Sequence, residues 1–99
     1  MLAVAEGIET AVAFHLLTGL PTWAAVSAGG LEAIAIPPEV EEVVIAADHD
    51  ASGTGQVAAI ALARRLKAEG RRYRFELPTA PGMDWNDVLM QQGTVKHAG

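Results

Sequence analysis

The sequence predicts an α/β sandwich: about four mainly parallel strands with flanking helices. Three observations point there. Short apolar runs alternate along the chain with helix-length segments, which at this spacing favours a parallel sheet joined by right-handed crossovers. The run Val43-Val44-Ile45-Ala46-Ala47 is rich in β-branched residues and has no polar interruption, as expected of a strand covered on both faces. The 99 residues are 51% hydrophobic and 19% charged, which suits one globular core. A chain of that length lies below the usual prior of about 150 residues per domain, so residues 1–99 read as a single domain, and it buries roughly 65% of the surface it exposes unfolded.

The elements follow in order. Leu2-Ala3-Val4-Ala5 is a short strand ending at Glu6-Gly7. Ile8 to Thr18 reads as a helix, with Gly19 as its stop and Pro21 just beyond. Thr22 to Val26 is a second strand, and a short helix over Leu31 to Ile36 is ended by Pro37-Pro38. After the strand Val43–Ala47 comes a glycine-containing loop from Asp48 to Gly55. Gln56 to Glu69 is the best helix, rich in alanine and leucine and closed by Gly70. Arg72 to Leu77 alternates in the manner of an edge strand. The loop Pro78–Gly82 leads to a last helix from Trp85 to about Gln92, leaving 93–99 as a frayed tail. The chain starts almost inside its first strand, which is expected of a domain excised from a larger protein.

Composition excludes several classes. With no cysteine, a disulfide scaffold, a cysteine nucleophile and a thiolate metal site are ruled out, and a reducing, cytoplasmic setting is expected. No apolar run is long enough for a membrane span, so no membrane partner is expected. The net charge is −5, but the signs are segregated. Residues 1–50 hold eight acids and no lysine or arginine, whereas six of the seven basic residues fall between 64 and 74. A net acidic chain is repelled by polyphosphate as a whole, which disfavours an independent nucleic-acid-binding module. The basic run reads either as a nucleic-acid contact through Arg64, Arg65, Arg71, Arg72 and Arg74 or as a solvated helix face and turn.

The acids stand where such a sheet builds a site, outside the carboxyl ends of its strands. Glu6 ends the first strand; Asp48 and Asp50 end the clearest one. In extended backbone, residues two apart project to the same side, so the aspartates pair while His49 points away. Neighbouring strands lie about 4.8 Å apart, within reach of a shared ion. Three converging carboxylates repel one another; Mg²⁺, or Mn²⁺ as a substitute, resolves that conflict, and oxygen-only ligands select such hard ions. The loop Ala51-Ser52-Gly53-Thr54-Gly55 brings small residues and free amides to a helix N-terminus, a place for phosphate oxygens on Gly53 and Thr54. Carboxylates holding Mg²⁺ beside such a terminus suit phosphoryl or nucleotidyl transfer. Taken alone, the same residues also describe an ordinary solvated strand-to-helix loop.

Two motifs in this order resemble the Toprim domain: Glu6-Gly7 after one strand, and Asp48-His49-Asp50-Ala51-Ser52-Gly53 after another. Toprim is the catalytic fold of bacterial and phage-type DNA primases, type IA and II topoisomerases, OLD-family nucleases and recombination mediators. Gly53, three residues past the second aspartate, is the primase preference. The segment Gly82-Met83-Asp84-Trp85-Asn86-Asp87-Val88-Leu89 is similar to the Gly-x-Asp-x-x-Asp-x-Leu tail of primases and of plasmid or phage primase–helicases. The resemblance spans residues 2 to 92 and implies a Rossmann-like Toprim sandwich acting in DNA replication on a mobile element. It makes Asp48 and Asp50 the Mg²⁺ ligands and Glu6 the catalytic carboxylate, which also touches the metal. Asp84 becomes a weaker fourth acid. Asp84 before a helix, with Asp87 three residues on, is equally a helix cap, and Glu9 in a first helical turn suits the helix dipole.

The resemblance implies a Mg²⁺-dependent nucleotidyltransferase of primase or primase–helicase type, active with its missing domains, whose partners are nucleic acid, nucleotides and those domains. A Toprim-type nuclease and a non-catalytic binding module retaining the fold are the alternatives. A phosphoacceptor domain is disfavoured, because no lysine occurs between Lys67 and Lys96 to end a later strand. Trp23 and Trp85 read as packing residues.

Overall fold

The structure, a computed structural model, describes residues 1–48, 54–80 and 82–98, with side chains except at 54–55 and 92–98. The elements run β1 (Leu2–Ala5), α1 (Ile8–Thr18), β2 (Thr22–Ala24), α2 (Ala28–Ala33), β3 (Glu42–Ala46), α3 (Thr54–Ala68), β4 (Arg72–Glu76) and α4 (Trp85–Ala98). All pairings are parallel, in the order β2-β1-β3-β4. The four-stranded α/β sandwich expected from the sequence is therefore the observed fold, with β4 at an edge.

Alternation along the strands builds two cores. Leu2, Val4, Val43 and Ile45 face α2 and α3, where Leu31, Ala58, Leu62 and Leu66 meet them. Ala3, Ala5, Val44 and Ala46 face the other way, toward Ala11 and Phe14 of α1 and Trp85 of α4. Alanines at three of those four positions leave room for two large rings against the sheet, and Phe14 and Trp85 stand edge to face at 4.9 Å. Connection direction then positions the site. From β1 the chain winds outward to β2, and from β3 it winds the opposite way to β4, so the winding reverses between β1 and β3. Ligands of open α/β sheets bind at that reversal, beyond the carboxyl ends of the strands.

Several boundaries differ from the sequence reading. Helix α1 matches it, ending on Gly19 at φ 76°, whose N–H donates to the His15 carbonyl. Helix α2 begins earlier, at Ala28, because Ser27 caps it: its Oγ accepts from the Gly30 N–H at 2.9 Å. Gly30 fits there because a Cβ would stand 2.2 Å from the Ala25 carbonyl oxygen. The stretch 34–41 is irregular, as its two prolines require. Helix α3 starts at Thr54 and α4 continues to Ala98, both beyond the expected ends. Among the described residues, no helix is long and apolar enough to cross a membrane.

One residue is strained. Val26, two positions past β2 and 72% exposed, has φ 77°, a region that a β-branched side chain strongly disfavours. Val26→Gly should raise stability by about 1 kcal/mol, since the strain relieved exceeds the entropy glycine adds to the unfolded chain. A urea midpoint that rises at constant slope would verify this; an unchanged or lowered midpoint would refute it.

Candidate functional site

Glu6 and Asp48 stand at the winding reversal. Ala5 is in register with Ala46, so Glu6 leaves β1 where Ala47 and then Asp48 leave β3. Asp48 is half-buried and held from two sides. The Thr10 hydroxyl donates to its Oδ2 at 2.9 Å, and the Trp85 backbone N–H donates to its Oδ1 at 3.1 Å. The Trp85 indole N–H donates to the Ala47 carbonyl at 2.9 Å, fastening the preceding residue too. Helices α1 and α4 thus grip the end of β3. Both donors to Asp48 are neutral. The ion pairs among the described residues join Arg65 and Arg71 to Glu69, and Arg74 to Glu42 and Glu76. None of them neutralises Glu6, Asp48 or Asp84.

Thr10 was not singled out in the sequence reading, yet it is the buried polar side chain among the described residues. The available signal was a hydroxyl one turn past Glu6, just before the apolar run Ala11–Phe14, where burial demands a partner. Trp85 packs, as expected, but its two N–H groups also make it part of the site.

Asp84 is the cap of α4. Its Oδ1 accepts from the Asp87 N–H at 2.8 Å, and its own N–H donates to Asp87 Oδ2 at 3.1 Å, a reciprocal capping box. One oxygen is committed to the helix, although the next residue, Trp85, touches Asp48. Asp50 and Gly53 lie outside the described residues, and Thr54 is the first residue of α3. Among the described residues, no group of three His, Cys, Asp or Glu side chains is placed to hold a metal ion, so Glu6, Asp48 and Asp84 do not form one by themselves.

Arg64, Arg65 and Arg71 are at the other rim. Helix α3 runs back from the carboxyl rim to the amino rim before β4, and the ten steps from Thr54 to Arg64 span about 15 Å of helix. Arg64 is exposed there, and Arg65 donates to the Ile34 carbonyl. Arg71 binds the carbonyl oxygens of Ile36, Pro37 and Val40. The expected phosphate contacts through Arg64 and Arg65 are not brought to the acids.

The Toprim domain model matches residues 1–95. The chain belongs to the Toprim family. No solved structure matches it. Toprim domains occur in enzymes such as primases and nucleases and bind divalent ions such as Mg²⁺. The residues described in this Toprim domain suit such an ion. Glu6 and Asp48 are oxygen donors leaving adjacent strands, and no described lysine or arginine competes for them.

Proposed function

We propose that this Toprim domain is the nucleotidyl-transfer centre of a DNA primase or primase–helicase of phage or plasmid type. The observation that carries this reading is the hydrogen bond from Trp85 to Asp48. It ties the primase-like tail Gly82–Leu89 to the strand-end aspartate, giving the tail a physical role beside the acids. Asp48 and Asp50 would hold Mg²⁺, or Mn²⁺ in its place, with Glu6 alongside. The ion, when bound, neutralises phosphoryl charge and aligns the attacking and leaving oxygens. Thr10 and Trp85 keep the Asp48 carboxylate oriented. Glu6 moves a proton at the nucleotide hydroxyl, as base or acid. Template and incoming nucleotide are bound by the other domains of the full-length protein.

Calorimetric titration with Mg²⁺ or Mn²⁺ tests the ligands. Asp48→Asn combined with Asp50→Asn is expected to abolish binding while circular dichroism stays unchanged, because an asparagine at 48 still accepts from Trp85 and donates to the Thr10 hydroxyl. Binding that survives in the double variant rejects the assignment. The full-length protein then separates the chemistries. Primer synthesis from nucleotides, lost in Glu6→Gln, supports the primase reading; nicking of plasmid with Mn²⁺ identifies a nuclease instead. Activity that survives Glu6→Gln identifies a binding module.

A further inference from the structure

The edge strand β4 departs from what a parallel sheet requires. Such sheets are ordinarily covered on both faces, yet Tyr73, Phe75 and Leu77 are 37–42% exposed on the α3 side of β4. The Tyr73 and Phe75 rings stack edge to face at 5.8 Å. Val57 and Ile60 of α3 are exposed as well, and Ala47, Gln56, Ala59, Ile60, Phe75 and Leu77 line a groove of about 240 Å³ beside the edge.

The backbone is open on the same side. The Arg72 N–H donates to the Glu41 carbonyl, and the Glu76 carbonyl accepts from the Ala47 N–H, so these residues turn their polar groups toward β3. The two-residue strand repeat then directs the N–H and C=O groups of Tyr73, Phe75 and Leu77 outward. Among the described residues, no strand pairs with them.

We infer that this edge is a dimer interface: β4 pairs antiparallel with β4 of a second copy of the chain, about a two-fold axis through Phe75, joining two four-stranded sheets into one. Charge selects that register. An axis normal to the sheet keeps faces in common, so odd residues oppose odd ones and even oppose even. Centred on Phe75, Arg74 faces the partner's Glu76, Tyr73 faces the partner's Leu77, and the two Phe75 rings meet. Shifting the centre to Arg74 sets arginine against arginine, and shifting it to Glu76 sets glutamate against glutamate, both unfavourable. In the Phe75 register, the outward groups of residues 73, 75 and 77 all fall in hydrogen-bonded pairs, and the exposed flanks of the two α3 helices, with Val57 and Ile60, meet on one face.

Sedimentation equilibrium of the chain should give twice its 10.3 kDa mass. Phe75→Pro deletes an outward N–H and a central ring without touching a bond to β3, a place where an edge strand tolerates proline. It should halve the mass while circular dichroism is retained. The chain has no cysteine, so single cysteines report the register whatever becomes of the proline variant. Opposed hydrogen-bonded residues have Cα atoms about 5.5 Å apart, within disulfide reach. Phe75→Cys should therefore oxidise to a covalent dimer and Arg74→Cys should not. A wild-type chain that sediments as a monomer, its edge then left for a strand of another polypeptide, overturns the inference. So does a folded Phe75→Pro dimer, or cross-linking through position 74 but not 75.

Discussion

Replacing Arg71 with methionine is expected to cost about 3 kcal/mol of stability, a large share of the roughly 5–15 kcal/mol that holds a domain together. The guanidinium is mostly buried, with its side chain 14% exposed. One terminal nitrogen donates to the carbonyls of Pro37 at 2.8 Å and Val40 at 2.5 Å, the other to that of Ile36 at 2.9 Å, and Nε donates to Glu69 at 2.8 Å. Those carbonyls belong to the proline-interrupted stretch between α2 and β3, which has no ladder or helix to satisfy them; that of Pro37 also accepts from the Val40 N–H in a turn. A hydrogen bond from a charged donor contributes about 1.5–3 kcal/mol. Four are lost, three to backbone carbonyls and one to the exposed Glu69; water reaching these partly open acceptors recovers much of the sum. Methionine keeps the apolar stem, so packing loss does not confuse the reading. Arg71→Lys should recover less than half, because one ammonium cannot match the fork that spans three acceptors. Urea unfolding measures the difference, and hydrogen exchange in residues 36–41 should accelerate in both variants. A loss below about 1 kcal/mol would mean that the segment is held by its packing alone.

Arg71 also shows what could be read from the sequence and what could not. Strands β1 and β3 and helix α1 were legible because burial imposes a local pattern: an unbroken apolar run for a strand covered on both faces, a glycine stop for a helix. The strand-end acids were legible by position in the same way. The basic run was not. Six cations within eleven residues read as a charged surface, yet Arg65 and Arg71 serve carbonyls more than thirty residues away. Composition does not record which loop a long side chain will meet. Helix α2 was misplaced for a related reason. Two adjacent glycines argue against a helix by propensity, but the Ser27 cap and the close approach of Gly30 to Ala25 outweigh that. Thr10 belongs with Arg71: its partner is 38 residues away and is visible only after β1 and β3 are placed side by side.

If Asp48 is a metal ligand, Thr10→Val should weaken Mn²⁺ binding about 10–100-fold, the usual penalty for removing a partner that orients a ligand. Valine matches threonine in shape but has a methyl where the hydroxyl donates to Asp48 Oδ2, so the buried site stays filled and only the bond is lost. The Trp85 amide still holds Oδ1. One bond fixes a point on the carboxylate but not its plane, and the freed group swings about its terminal torsion, which has broad wells. Binding must then restore an orientation that Thr10 otherwise supplies in advance. The stability cost is about 1–2 kcal/mol, because an acceptor loses its donor; that alone would leave the affinity of the folded protein untouched, and so the two roles separate. Thr10→Ser restores the hydroxyl without the methyl and should recover most of the affinity even if some stability stays lost. Should valine lower the melting temperature while calorimetry returns the wild-type dissociation constant, Thr10 is a structural tie between α1 and β3, and the orientation of Asp48 has no bearing on the ion.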